Sequence, residues 1–331
     1  MIKEKTHIKV KELLETGKTF ALVRLPDHAP RLIHDPRGKF DFFITPWRTK
    51  FANSVQLFKD NNDRGDIDLP TSTEKEIYIE RVGELIKQLA RRGMSKTVIS
   101  RVISGQNSNL DIISAADELW TSFPATLGFL FYTPSCGLWL GATPEKLLFT
   151  FPPHHFSTMA LAGTLPIDEP WNVKNYEEHE LVSDFMASVF RTQDVPYMQA
   201  GPKDLVYGNI KHLCTSFSGD FPFGNSQAEK VLDALSPTPA LSGFPRAMAF
   251  DDIEKIEDHE RRCYGGYITI KDKDQDHSWC FVVIRCAQID LSTGQWVAYA
   301  GGGITPKSNP EAEWVETEEK SKKLVEILSE N

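Results

Sequence analysis

The sequence of 331 residues lacks the marks of several large protein classes. Its five cysteines are scattered and form no C-x-x-C pair, and none has histidines at a zinc-ligand spacing, which argues against a zinc site. Basic residues occur only in short pairs such as Arg91-Arg92, and the formal net charge is −9. We therefore expect neither nucleic acid nor an anionic membrane surface as a partner.

Long apolar stretches are also missing. No uninterrupted apolar run approaches the length of a membrane span, and the first residues lack the apolar stretch of a signal peptide. We therefore expect a cytoplasmic protein. The glycine-rich segment Tyr299–Ile304 matches neither G-x-G-x-x-G nor G-x-x-x-x-G-K-[ST], the loops that bind nucleotide phosphates. What remains is a globular composition, 40% hydrophobic and 25% charged, long enough for one large domain or two ordinary ones.

The predicted helices and strands come in blocks, with neighbouring strands linked by turns. This order favours an α+β fold with mostly antiparallel sheets over a doubly wound fold. The polar loop Asn61–Asp66 is the best candidate for a boundary within the chain. Helices are predicted at Val10–Glu15, Ile112–Trp120 and Tyr176–Arg191, and from Pro310 onward. A further helix is predicted to end at about Arg92 and to be capped at its start by Thr71 or Thr73. Strands are predicted at Thr19–Leu25, Thr97–Ile103, Gly128–Tyr132, Gly137–Leu140, Lys146–Phe151, Trp279–Ile289 and Gln295–Ala300.

The C-terminal helix carries charges on the face that should be buried. Glu313, Glu316 and Lys320 share a helical stripe with Leu324 and Ile327. An unpaired charge on such a stripe would cost on the order of several kcal/mol, which a cation together with an anionic ligand would remove. The alternative is an exposed first turn with ordinary surface acids.

A second helix repeats this pattern, because Glu178 heads an apolar face formed by Val182, Phe185 and Val189. Two helices that each present a first-turn carboxylate from the buried side could supply oxygen ligands to Mg²⁺. An anionic substrate could then bridge the metal. Taken alone, Glu178 could equally be a partner of the helix dipole.

Arg285 stands in the middle of the predicted strand Trp279–Ile289, whose two faces are otherwise apolar. Since arginine stays charged, it must find a carboxylate or phosphate, either on a ligand or in an internal salt bridge. Glycines in Leu161–Thr164, Gly265–Gly266 and Gly301–Gly303 would let the backbone approach a ligand, although turns explain such glycines as well.

Taken together, seven segments resemble the chorismate-utilising enzymes, and most closely the isochorismate synthases. The resemblance covers roughly Ser95 to the C-terminus, residues 95–331, whereas residues 1–70 match weakly. It implies one chorismate-binding domain over residues 1–331, with two large antiparallel sheets packed face to face and a cleft between them. The segments are Gly141–Leu148 (GATPEKLL), Leu161–Thr164 (LAGT), Glu178–Val182 (EHELV), Pro237–Arg246 (PTPALSGFPR), Val282–Ala287 (VVIRCA), Tyr299–Ile304 (YAGGGI) and Glu313–Thr317 (EWVET).

The resemblance also implies roles for single residues. Lys96 would activate water for attack at C2 of chorismate, and Glu145 would protonate the C4 hydroxyl as it leaves. Glu178 and Glu313 would bind Mg²⁺, with Glu316 close by, and the metal would hold the ring carboxylate. Arg285 and Lys320, with backbone N–H groups near Gly163 and Gly301, would receive the carboxylates. The remaining substrate contacts implied are Thr164, His212, Ala240, Leu241 and Tyr264.

Relatives with other activities differ at positions that this sequence allows us to compare. Anthranilate synthases typically have glutamine where this chain has Lys96, and aminodeoxychorismate synthases have a lysine where it has Ala162. A salicylate synthase, which also expels pyruvate, and a non-catalytic chorismate-binding homologue stay open as alternatives. Two departures from the family pattern are Asn175, where many relatives have an acid, and Tyr264, at a variable pocket position. We expect a monomer without a glutaminase subunit, whose product serves menaquinone or siderophore synthesis, with menaquinone favoured.

Overall fold

The computed structural model describes residues 1–50, 53–57, 68–93 and 95–330. These residues form two eight-stranded antiparallel sheets and seven helices, so the predicted α+β fold with packed antiparallel sheets is confirmed. The first sheet has the strand order β12 (Gly243–Phe244), β5 (Lys96–Gln106), β16 (Gln295–Ile304), β15 (Cys286–Asp290), β7 (Gly137–Thr143), β6 (Leu127–Thr133), β1 (Phe20–Arg24) and β2 (Arg31–Ile33). The second sheet has the order β10 (Tyr197–Tyr207), β11 (Ile210–Asp220), β9 (His155–Pro166), β8 (Lys146–Phe151), β14 (His277–Val282), β13 (Tyr267–Asp272), β3 (Phe40–Thr45) and β4 (Val55–Gln56).

Helices cover the outer faces of both sheets. Leu324 and Ile327 of the last helix pack on the first sheet, and Val182 and Phe190 of the fourth helix pack on the second. None of the described helices is apolar over a length that would cross a bilayer. The helices are α1 (Glu4–Glu15), α2 (Lys75–Arg92), α3 (Ile112–Ser122), α4 (Val173–Thr192), α5 (Asn225–Leu235), α6 (Arg246–Ile256) and α7 (Pro310–Glu330).

The core between the sheets is aromatic. Phe129, Phe131 and Trp139 from the first sheet meet Phe42 and Phe281 from the second, and all five are almost fully buried. Because large rings fill this layer, the two sheets are held at a fixed separation along one side. The layer continues through Tyr299, which stacks on Trp139, to Tyr264.

The N-terminal region belongs to both sheets. Strand β1 pairs with β6 in the first sheet, and β3 pairs with β13 in the second. Residues 20–45 are therefore part of the same framework as the region after Ser95. The loop Asn61–Asp66, predicted as a boundary, lies outside the described residues.

Three helix starts differ from the prediction, and the first of them is α1, which begins at Glu4 rather than at Val10. Helix α2 has Glu74 at its N-cap without a side-chain cap, because the hydroxyl of Thr73 instead accepts a hydrogen bond from the Val102 N–H at 3.2 Å. Helix α4 begins at Val173, capped by Asn172, so Glu178 lies in its second turn and the first-turn prediction was wrong. Asn175 completes this capping box, which gives its side chain a structural role.

The single predicted strand Trp279–Ile289 is also wrong, because the chain changes sheets within it. Strand β14 ends at Val282 in the second sheet, and β15 begins at Cys286 in the first. Arg285 makes the transition with a φ of 52°, a left-handed conformation unusual for a residue other than glycine. The residues before and after the crossing are apolar, so the alternation of side chains along the sequence did not reveal that the strand ends here. Its consequence is that the Arg285 side chain emerges where the two sheets meet.

Candidate active site

One cleft collects residues from both sheets and from helices α4 and α7. The space between its walls is about 650 Å³, part of which is open solvent. Glu313 and Glu316 do not line it, although both lie close by on α7. Twelve residues predicted for the site do line it: Lys96, Glu145, Gly163, Thr164, Glu178, His212, Ala240, Leu241, Tyr264, Arg285, Gly301 and Lys320.

At one end lies a cationic group that we call the arginine corner, formed by Arg285, His212 and Lys320. The Arg285 guanidinium donates to the Lys320 carbonyl at 2.8 Å and lies 3.3 Å from His212 Nε2. Both partners are neutral acceptors, and the described residues hold no carboxylate within ion-pair distance of Arg285. The expected carboxylate partner is thus absent from the protein side, which leaves an anionic ligand as the remaining candidate.

His212 is held in the tautomer that this contact needs. Its Nδ1 lies 3.1 Å from the carbonyl oxygen of Gly163, so Nδ1 carries the proton and Nε2 accepts from Arg285. Burial, followed by the charges of Arg285 and Lys320, lowers the pKa of His212 to about 3. Gly163 has a φ of 76°, and a Cβ there would come within 3.3 Å of the Asn175 carbonyl oxygen. This glycine is therefore needed for the bend in β9 that presents its carbonyl.

Glu145 lies in the turn between β7 and β8 and is 5% exposed. Burial raises the pKa of Glu145 to about 7, although the charges of Lys96, Arg285 and Lys320 act in the opposite direction. A carboxyl group with such a pKa is partly protonated near neutrality, which is the state that a general acid requires.

Lys96 is the first residue of β5 and is 1% exposed. Its ammonium group lies 2.8 Å from Glu178 Oε1. Gly303 of β16 makes room for this pair, since a Cβ there would come within 2.4 Å of Glu178 Oε1 and 2.7 Å of Lys96 Cε. The glycines at the end of β16 therefore make room for the side chains of Lys96 and Glu178. The sequence had predicted only that the backbone there could approach a ligand.

Beside the cleft lies the carboxylate cluster, which we define as Glu178, Glu313 and Glu316 and which touches the arginine corner through Lys320. Each acid has a lysine beside it: Lys96 at Glu178, Lys174 at Glu313 and Lys320 at Glu316, with the last two distances 2.5 Å. Glu313 is 1% exposed, and burial together with Glu316 raises its pKa to about 7. The prediction that α7 turns its charges inward is confirmed for Glu313, and Asn309 caps the helix by accepting from the Ala312 N–H.

The carboxylate cluster has a donor set that suits a hard cation. In the part of the chain that the structure describes, no three His, Cys, Asp or Glu side chains gather as a metal centre. Mg²⁺, however, usually takes one or two protein carboxylates and keeps several waters. Glu313 Oε2 is buried and has no hydrogen-bond partner, and it faces Gly302, where a Cβ would lie 3.1 Å away. An orphaned carboxylate oxygen beside a glycine fits a ligand to such an ion.

Sequence reasoning missed Lys174, which lies one turn before Glu178 on the same helix. Burial lowers the pKa of its ammonium group, but Glu313, Glu178 and Glu316 together outweigh this effect and raise it. The spacing of four residues from Glu178 was a signal that could have identified it. Tyr299 was also missed; it lines the cleft and stacks on Tyr264 at 5.5 Å between ring centroids.

Comparison with known proteins agrees with this geometry. A family model described as chorismate binding enzyme matches residues 44–329. The isochorismate synthase EntC of Escherichia coli K12 is 29% identical over 316 residues, covering 89% of this chain and 79% of that protein. The vibriobactin-specific isochorismate synthase of Vibrio cholerae is 28% identical, covering 78% of this chain and 68% of that protein. The structure of MenF, the menaquinone-specific isochorismate synthase of Escherichia coli, has a TM-score of 0.76 at 18% identity, covering 94% of this chain and 89% of that one.

Proposed function

The chain belongs to the chorismate-binding enzyme family, and from this premise we propose that it is an isomerase that converts chorismate to isochorismate. The observation that carries the proposal is that Lys96 and Glu145 line the same cleft as Arg285. A base, an acid and a cation for a carboxylate are the three groups that this reaction needs. Curated relatives named isochorismate synthases support the same activity.

In the proposed reaction, Lys96 takes a proton from water as the water oxygen forms a bond to C2. The ring double bonds shift, the C4–O bond breaks, and Glu145 donates a proton so that the C4 hydroxyl leaves as water. The raised pKa of Glu145, about 7, supports its part as the acid. Arg285, which has neutral partners only, would hold a substrate carboxylate through its planar fork.

We further propose that Glu178 and Glu313 hold Mg²⁺, with Glu316 close by. When bound, the ion would supply positive charge for the ring carboxylate of the substrate. Glu178, which lies 2.8 Å from the Lys96 ammonium group, would then be shared between the lysine and the ion. Lys174 would keep a cation near Glu313 when no metal is bound.

Turnover of purified protein with chorismate, with and without Mg²⁺, tests the proposal. Isochorismate without pyruvate is the expected product. Salicylate with equimolar pyruvate would instead identify a salicylate synthase, and no product under either condition would identify a non-catalytic chorismate-binding homologue. Chromatography of the ring products and a coupled assay for pyruvate distinguish the three outcomes.

Substitution of the proposed base provides a matched pair of variants. We expect Lys96→Met to lose isochorismate formation, since methionine keeps the length of the side chain but cannot accept a proton. Lys146→Met is the control, because Lys146 is also partly buried but contacts Ser157 and the Phe149 ring outside the cleft. Equal activity of both variants would contradict the assignment of Lys96. The monomeric state, the absence of a glutaminase subunit and the use of the product in menaquinone synthesis stay predictions.

A further inference from the structure

Tyr78 is a buried tyrosine near the carboxylate cluster whose hydroxyl no part of the proposed function uses. It is 2% exposed and heads the buried face of α2, ahead of Val82, Leu85 and Leu89. Its ring meets Trp314 edge-on with centroids 5.5 Å apart, so packing fixes its direction. Its hydroxyl has no hydrogen-bond partner among the described residues. A buried hydroxyl without a partner needs an explanation.

The unpaired hydroxyl faces the same place as the unpaired oxygen of Glu313. A Cβ on Gly302 would lie 3.6 Å from Tyr78 Oη and 3.1 Å from Glu313 Oε2, so both atoms lie beside the same glycine, which has no side chain. Burial, followed by the charges of Glu313 and Glu316, holds the pKa of Tyr78 well above its usual value. The hydroxyl is therefore a donor at neutral pH. A donor and an acceptor that each lack a partner can both be satisfied by a water molecule between them.

We propose that Tyr78 is a positioning residue for the cation at Glu313, whose hydroxyl hydrogen-bonds a water ligand of that cation. Mg²⁺ retains several waters in proteins, and groups that hydrogen-bond the ligands of a metal orient those ligands. The proposal rests on the Mg²⁺ site of the proposed function. It adds a residue from α2, a helix that precedes every segment behind the family resemblance.

The test compares Tyr78→Phe, which removes one oxygen and keeps the ring, with the parent protein. Mg²⁺ binding is measured by calorimetry without substrate, and thermal unfolding is followed with and without Mg²⁺. Tyr267→Phe is the matched control, because Tyr267 is also buried and its hydroxyl also lacks a partner, but it lies in β13 outside the cleft. We expect Tyr78→Phe to raise the Kd for Mg²⁺ at least tenfold, as the loss of a hydrogen bond to a metal ligand does, and Tyr267→Phe to leave it unchanged.

Thermal unfolding separates this role from a structural one. Without Mg²⁺, Tyr78→Phe should unfold at the parent temperature or above it, because it removes an unsatisfied polar group. The increase in Tm on adding Mg²⁺ should be smaller than in the parent. Unchanged Mg²⁺ affinity, or an equal loss of Tm with and without the ion, would overturn the proposal. A parent protein that binds no Mg²⁺ would also overturn it, whereas isochorismate formed without Mg²⁺ would leave the proposed isomerase intact.

Discussion

At the arginine corner the Arg285 guanidinium meets two neutral acceptors, whereas in the carboxylate cluster every acid has a lysine beside it. Both regions are buried, and both use charges contributed by α7. They differ in what is missing. Among the described residues Arg285 has no anion within ion-pair distance, whereas each acid of the carboxylate cluster has its counter-charge, and Lys320 of the arginine corner supplies the one at Glu316.

This difference suggests how an acidic protein can receive a dicarboxylate. A ligand anion that pairs with Arg285 displaces no carboxylate of the protein, whereas one that pairs with Lys320 must share it with Glu316. A cation entering the carboxylate cluster must instead compete with Lys96 and Lys174 for their acids. We therefore expect substitutions at the arginine corner to affect substrate, and substitutions in the cluster to affect stability and metal.

The largest expected effect comes from Arg285→Gln, which tests the arginine corner. Loss of a buried charge that pairs with a substrate carboxylate should cost about 4 kcal/mol, or about a thousandfold in kcat/KM. Steady-state kinetics with chorismate measure it. Arg24→Gln is the control, because Arg24 is a partly buried arginine that also donates to carbonyl groups, those of Trp120 and Phe123, and does not line the cleft. Kinetic losses of similar size in both variants would refute a substrate role for Arg285.

The contrast between the two regions also shows which features a sequence can reveal. The inward face of α7 could be predicted because the spacing of its residues along the sequence determines which of them share a helical face. A cap such as Asn309 marks where the helix begins. The fold class followed from the order of the blocks. The family resemblance supplied the residues that line the cleft, and their placement around one cavity agrees with it.

Tertiary contacts were beyond prediction from periodicity. Lys174 and Glu313 are 139 residues apart and pair only because α4 and α7 approach the same strand end. The crossing at Arg285 was missed because the residues before it are buried in the second sheet and the residues after it are buried in the first. In the sequence, Tyr78 could not be distinguished from any other aromatic residue on a buried helical face. Only its proximity to Glu313 in the folded protein indicates a role for its hydroxyl.

A smaller effect is expected for Lys174→Met, which breaks the pairing within the carboxylate cluster. Glu313 would remain buried without its counter-charge, so we expect a loss of about 3 kcal/mol in the free energy of unfolding at pH 8. The loss should shrink at pH 6, because the pKa of Glu313, raised by burial to about 7, lets it bind a proton there. Urea unfolding at both pH values measures this difference.

Lys307→Met provides the control for this variant. Lys307 lies 2.6 Å from Glu177, but both side chains are more than half exposed, so the loss should stay within about 0.5 kcal/mol at either pH. Added Mg²⁺ should narrow the gap between Lys174→Met and the parent. A loss that is the same at pH 6 and pH 8 would show that Lys174 stabilises the protein by packing rather than by charge.

The smallest effect concerns Glu145, which lies in the turn between β7 and β8. Its pKa rises from 4.5 when solvated to about 7 when buried in the folded protein, so folding takes up a proton between these values. The native state therefore loses stability as pH rises through this window. Glutamine has no proton to lose, so Glu145→Gln should gain about 2 kcal/mol relative to the parent between pH 5 and pH 8 while losing turnover. Urea unfolding at the two pH values measures the gain, with Glu180→Gln, an exposed acid on α4, as the control that should show none. A parent protein whose stability is flat across this range would mean that Glu145 stays ionised, and it could then not serve as the acid.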